Sequence, residues 1–131
     1  MEIIVSEQQG RTKVTVFQIH GEMTADTAAA FAAQAKAAID SGTRNLLLDL
    51  TDVPFVGSFG IRSMNDLLIT LYKANGLAEA DARKVLRASS KAPYLKLLNP
   101  NLYVTKVLET SGFDMLLEVH TDLKRAVASF S

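Results

Sequence analysis

The run Leu46-Leu47-Leu48-Asp49-Leu50 constrains the fold more than any other stretch of the chain. It is short, almost wholly apolar and does not alternate as a half-exposed edge strand would. Such a run belongs in the middle of a sheet with both faces covered, so helices must lie on both sides of it. The flanking residues agree. Glu2–Ser6 and Lys13–Ile19 read as β strands, the second mixing Val14, Val16 and Phe17, and the polar Glu7-Gln8-Gln9-Gly10-Arg11 between them reads as the turn of a hairpin.

After Gly21-Glu22-Met23 the period becomes helical. Thr24 or Asp26 is placed to cap a helix whose Phe31, Ala35, Ala38 and Ile39 share a face, with Gly42 at its C-terminal stop. Beyond the central strand, Ile61, Met64, Leu68, Leu71 and Tyr72 mark a second helix that starts near Ser58 and stops at Gly76. Leu77–Ser90 carries acids early (Glu79, Asp81) and bases late (Lys84, Arg87) around the apolar pair Val85 and Leu86, the charge order of a short helix, and Ser89-Ser90-Lys91-Ala92-Pro93 breaks it. Tyr94–Leu98 reads as a strand, Asn99-Pro100-Asn101 as the cap of a helix through Leu108 ending near Gly112, Met115–Val119 as a last strand, and Thr121 or Asp122 as the cap of a helix with Leu123, Val127 and Phe130. Alternating strands and helices from residue 45 onward predict an α/β domain with a mixed sheet: an antiparallel hairpin first, then strands joined through helices.

At 131 residues this is one domain, without repeats or low-complexity linkers. Fourteen basic residues balance 14 acidic ones, which removes the field that sequence-independent binding to nucleic acid or anionic lipid requires. No cysteine is present, so disulfides, thiol nucleophiles and thiolate metal sites are excluded. Met1–Glu7 has neither a basic segment nor a long apolar core, and no apolar run approaches the roughly 20 residues that cross a bilayer. The expectation is a cytoplasmic domain with no membrane insertion.

The groups available for catalysis are few. His20 and His120 each follow a predicted strand, without neighbouring acids or a paired histidine at metal-ligand spacing, and read as exposed or capped side chains. Asp49 and Asp52 flank the end of the central strand and Glu22 and Asp26 follow the second, where α/β folds place ligands, but acids at strand ends more often cap turns and helices. Gly57-Ser58-Phe59-Gly60 lacks the residue that separates the first glycine from the serine in a G-x-S-x-G nucleophile elbow, and the lysine of a phosphate loop. Taken alone it is a glycine-bracketed serine capping a helix. No catalytic residue, metal site or cofactor is expected.

At this segment the chain resembles the STAS family, the domains of anti-sigma factor antagonists and related bacterial regulators. Gly21-Glu22-Met23-Thr24 stands where the family has Gly-Glu-Leu/Ile-Asp. Val53-Pro54-Phe55 and Gly57-Ser58-Phe59-Gly60-Ile61 follow the apolar strand where the family has a Val-x-Phe/Tyr loop and Asp-Ser-Ser/Thr-Gly-Leu. Val107-Leu108-Glu109-Thr110-Ser111-Gly112-Phe113 matches a third segment, and the likeness runs along nearly the whole chain. The resemblance implies a single STAS-type domain with a mixed, mostly parallel sheet of four to five strands flanked by four to five helices. It implies a protein-binding module for transcription regulation and signal transduction, without catalysis of its own. In the antagonists a partner anti-sigma factor, a serine kinase of the GHKL type, phosphorylates the first serine of the motif and a phosphatase reverses this. By position that serine is Ser58, and the docking surface comprises Met23, Thr24, Asp26, Gly57, Ser58, Phe59, Gly60 and Ile61.

Three positions depart from the pattern: Gly57 replaces the acid before the serine, Phe59 the small hydroxyl residue after it, and Thr24 the aspartate after Gly-Glu-Leu. Phe59 either packs onto Phe55 or projects into a partner. The Leu77–Ser90 segment is an extra helical insertion, expected to cover a sheet edge or face, with a partner or homodimer contact as the alternative. Loss of the acid and gain of Phe59 keep a second function open, a constitutive STAS subunit of a larger assembly such as a stressosome-like scaffold or the cytoplasmic subunit of an ABC-type lipid transporter. An enzyme or small-ligand binder using Asp49, Asp52, Glu22 and His20 is the third.

Overall fold

The computed structural model describes residues 1–87 and 91–131, for 85–87 the backbone only. Five strands form one sheet in sequence order: β1 (Glu2–Gln9), β2 (Lys13–His20), β3 (Leu46–Asp52), β4 (Leu95–Leu98) and β5 (Val119–His120). β1 and β2 are antiparallel, and every later neighbour pair is parallel. The helices are α1 (Ala25–Asp40), α2 (Ser58–Ala74), α3 (Glu79–Arg87), α4 (Leu102–Ser111) and α5 (Leu123–Ala128).

β3 is the middle strand, and its side chains alternate between two cores. Leu46, Leu48 and Leu50 join Phe17, Ile19, Leu95 and Leu97 under Phe31, Ile39, Met64, Leu68 and Leu71 of α1 and α2. Leu47 points the other way, with Val14, Val16 and Leu98, onto Ala126, Val127 and Phe130 of α5 and the chain end. Both faces are therefore covered, as the apolar run requires, but the second by a helix of only six residues. On that face Lys96 of β4 is buried: its ammonium donates to the Ser129 carbonyl at 2.9 Å and Ser129 Oγ at 3.0 Å, pairs with Glu118 at 3.1 Å and lies 4.8 Å from the centre of the Phe130 ring.

Two segments differ from the sequence reading. β1 runs three residues further than Ser6, to Gln9, so the turn is confined to Gly10–Thr12. Met115–Val119 is not a strand. Phe113–Met115 forms a 3₁₀ turn and only Val119–His120 pairs with β4, because the buried apolar residues there, Phe113 and Leu117, follow helical spacing, closed by the Leu117 N–H donating to the Phe113 carbonyl at 3.1 Å. Residues Glu79–Arg87 form α3. It packs on α2, with Ala82 fully buried and Glu79 3.9 Å from Lys73, while the expected apolar pair Val85 and Leu86 and the break at Ser89-Ser90 lie outside what is described.

Candidate functional site

Two chain crossings at the C-terminal ends of β2 and β3 build the site. The Met23 N–H donates to the Phe55 carbonyl at 2.9 Å and the Gly57 N–H to the Met23 carbonyl at 2.8 Å, so Met23 and Val56 form a parallel bridge outside the main strands. The connection from β2 to α1 and the connection from β3 to α2 are thus laced together by backbone hydrogen bonds. Beneath the lacing, Met23 and Val56 are fully buried. Gly60 is there because nothing larger fits: a Cβ would stand 2.8 Å from Val56 Cγ1 and 3.0 Å from the Met23 carbonyl oxygen. Asn101 ties the third side. Its Oδ1 accepts from the Val104 N–H at 2.8 Å, capping α4, and its Nδ2 donates to the Val53 and Pro54 carbonyls at 3.3 Å.

Of the sequence-proposed site residues, Met23 and Gly60 lie in this support and offer no surface to a partner in this conformation. Ile61 and Gly57 are half-buried, and Thr24 is the half-buried residue before α1, its N–H donating to Thr27 Oγ1 at 2.9 Å. Asp26 in the first turn of α1, Ser58 and Phe59 are exposed. Ser58 is not the helix cap: Gly57 takes that position, with extended backbone, and Ser58 is the first helical residue with its side chain outward. A glycine cap brings no side-chain acceptor, and α2 has no acid in its first turn. The opening N–H groups of α2 consequently take no side-chain acceptor from the cap and carry the partial positive charge of a helix N-terminus.

Phe59 is 52% exposed, with the Arg62 guanidinium 5.8 Å from its ring centre, so it projects rather than packing into the core. Phe55 is also exposed, and Leu102 and Tyr103 at the start of α4 are among the most exposed apolar side chains described, at 71% and 74%. Between α2 and α4 runs an apolar groove of about 490 Å³, lined by Phe55, Ser58, Ile61, Tyr103 and Val107, with Lys106 at its wall. The sequence reading missed Leu102, Tyr103 and Lys106. Their signal was present, since Asn101 fixes where α4 starts and so which residues reach the loop.

The two histidines do have acidic neighbours, contrary to the sequence reading. A register shift between β2 and β3 after Gln18 sets His20 opposite Asp52, with Nδ1 3.1 Å from the carboxylate, while the buried Nε2 has no partner among the described residues. His120 lies 3.1 Å from Glu118, two positions before it and just ahead of β5. Asp49 accepts from the Thr51 N–H and hydroxyl, a turn-capping role. Among the described residues no three His, Asp or Glu side chains converge as a metal site would need.

A family model described as the STAS domain matches residues 4–77, β1 through the end of α2. The chain belongs to the STAS domain family. No curated protein sequence matches it. Among solved structures this STAS domain is similar to an anti-sigma factor antagonist from Mycobacterium paratuberculosis (TM-score 0.71, 20% identity, 98% of this chain and 92% of that one). It is similar also to an anti-sigma-factor antagonist (STAS) domain protein from Planctomyces limnophilus (TM-score 0.67, 20% identity, 98% and 97%). A third is the Bacillus cell fate determinant SpoIIAA in its phosphorylated form (TM-score 0.61, 17% identity, 95% and 96%). At these identities the likeness shows the fold, a mixed five-stranded α/β sheet with five helices. Among the described residues no helix is long and apolar enough to cross a membrane.

Proposed function

We propose that this STAS domain is a non-catalytic, cytoplasmic protein-binding module of the anti-sigma factor antagonist kind, switched by phosphorylation of Ser58. The observation that carries the reading is the setting of Ser58: an exposed residue at the start of a helix whose glycine cap brings no side-chain acceptor, at the rim of an apolar groove and beside the exposed rings of Phe55 and Phe59. A phosphoryl group there adds about −1.5 to −2 charges where the free N–H groups of α2 tolerate an anion, so the domain stays folded. The same charge beside an apolar docking face brings desolvation and repulsion, so an apolar or acidic partner is released without a change of fold. The partners are an anti-sigma factor that doubles as a GHKL-type serine kinase, and a phosphatase. Support comes from family membership and from SpoIIAA, a neighbour of the same fold whose structure exists in phosphorylated and unphosphorylated forms.

Incubation with the anti-sigma kinases encoded beside the gene, with ATP, tests the switch by intact mass. The wild type gains one phosphate, about 80 Da, and Ser58→Ala gains none. A wild type unmodified by every such kinase overturns it.

Phe59 favours a second reading. A half-exposed aromatic beside the acceptor serine suits a permanent contact, as in a constitutive STAS subunit of a stressosome-like scaffold or a lipid transporter, better than kinase access. Stable co-purification that Ser58→Asp leaves intact would decide for that subunit.

A further inference from the structure

The sheet has one long, unguarded edge. β1 pairs with β2 from Glu2 opposite His20 to Gln9 opposite Lys13 without a bulge, and among the described residues nothing pairs with its other side. Backbone N–H and C=O groups facing that way form an open ladder, which sheets usually protect with lysine, proline, a bulge or a covering element. Glu-Ile-Ile-Val-Ser-Glu-Gln-Gln has neither lysine nor proline, and all of its residues but Ile3 are exposed. Ile4 and Val5, on opposite faces, are 48% and 52% exposed. The opposite edge, β5, is two residues long and offers no comparable ladder.

We propose that β1 is a homodimerisation edge: two copies pair β1 with β1, antiparallel about a two-fold axis at Ile4, and their sheets become continuous. The occupant is a second copy because the strand is complementary to itself. In this register Ile4 faces Ile4, Ile3 faces Val5 in both directions, and Glu2 faces Ser6, so apolar meets apolar and no acid faces an acid. Moving the axis one residue, to Val5, sets Ile3 against Glu7 and Ile4 against Ser6, which wastes the apolar contacts. The contact is small beside standard interfaces, so the dimer is weak and concentration-dependent. The Ser58 loop follows β3, two strands in, and forms no part of this edge.

The absence of cysteine makes the register measurable in the full chain. In an Ile4→Cys variant the two residues stand directly opposite, with Cα atoms about 4.5–5.5 Å apart and within disulfide reach. In Gln8→Cys they stand eight rungs apart, about 27 Å. Under mild oxidation Ile4→Cys should form disulfide-linked dimer at least about tenfold faster than Gln8→Cys. In sedimentation velocity, wild-type mass should rise from monomer toward dimer as concentration approaches about 1 mM, and Ile4→Lys, with unchanged circular dichroism, should need at least about tenfold more protein. A wild type that stays monomeric to that concentration, or equal cross-linking at positions 4 and 8, overturns the proposal. So does a dimer lost in Tyr103→Ser and kept in Ile4→Lys, which would place the contact at the groove.

Discussion

Gly57 and Gly60 are three residues apart and respond oppositely to a side chain. A Cβ at Gly57 meets only ordinary contacts, 3.4 Å from the Phe55 ring, and the backbone there is extended and open to any residue. A Cβ at Gly60 collides with Val56 and with the Met23 backbone. Gly57→Ala should therefore stay within about 0.5 kcal/mol of wild type, whereas Gly60→Ala should lose about 1–3 kcal/mol, both read from urea midpoints. Phe59 makes the complementary case. Its exposure means that Phe59→Ser should leave the urea midpoint unchanged while weakening partner capture at least tenfold, as measured by titration calorimetry with the unmodified domain. Equal losses of stability and binding would show a structural role. The linear motif placed Gly57, Ser58, Phe59 and Gly60 in one surface. It could not separate the supporting glycine from the open one, because the difference lies in how the fold seats Gly60 against Val56 and against Met23, the latter more than thirty positions earlier.

Elements whose signals are local were legible. The apolar run of β3 announced a covered strand, Asn101 a helix start and Gly112 a helix stop, the last confirmed by its left-handed backbone at φ 80°. Elements defined by what they meet were not. Nothing within Glu79–Arg87 says that α3 packs on α2, and β5 is short because its pairing is limited to Leu97 and Leu98. The histidine and acid pairing of His20 with Asp52 arises from a cross-strand register, which linear spacing does not display. Asn101 is the residue on which the α4 side of the site depends, since one amide both caps the helix and holds the Val53-Pro54 turn. Asn101→Ala should cost about 1–2 kcal/mol by thermal or urea unfolding, and Asn101→Asp, which keeps the acceptor and loses the donors, should recover part of that loss.

Over the whole molecule, Lys96 joins the sheet to the chain end, and its neighbours give stability a pH dependence. Burial alone would raise the Glu118 pKa, but the hydrogen bonds and charges of Lys96 and then His120 together outweigh it and leave it lowered. A carboxylate whose folded pKa lies below its unfolded one stabilises the fold above the unfolded value, near 4.5, and loses that contribution as pH falls through the folded value. The stability gap between wild type and Glu118→Gln should accordingly be widest near neutrality and close in acid, as urea titrations across pH 3–7 would show. At Lys96 itself, Lys96→Met keeps the stem volume and should change stability by less than about 1.5 kcal/mol, while Lys96→Ala leaves a cavity under Phe130 and should cost about 2–4 kcal/mol. The lacing of Met23 to Phe55 and Gly57 has a different consequence. Because backbone fixes the platform from below, the residues at 57, 58 and 59 can be exchanged during evolution with little penalty in folding. Duplicated copies in one cell could then acquire separate addressees through two or three codons, each pathway insulated from its sister while sharing one scaffold.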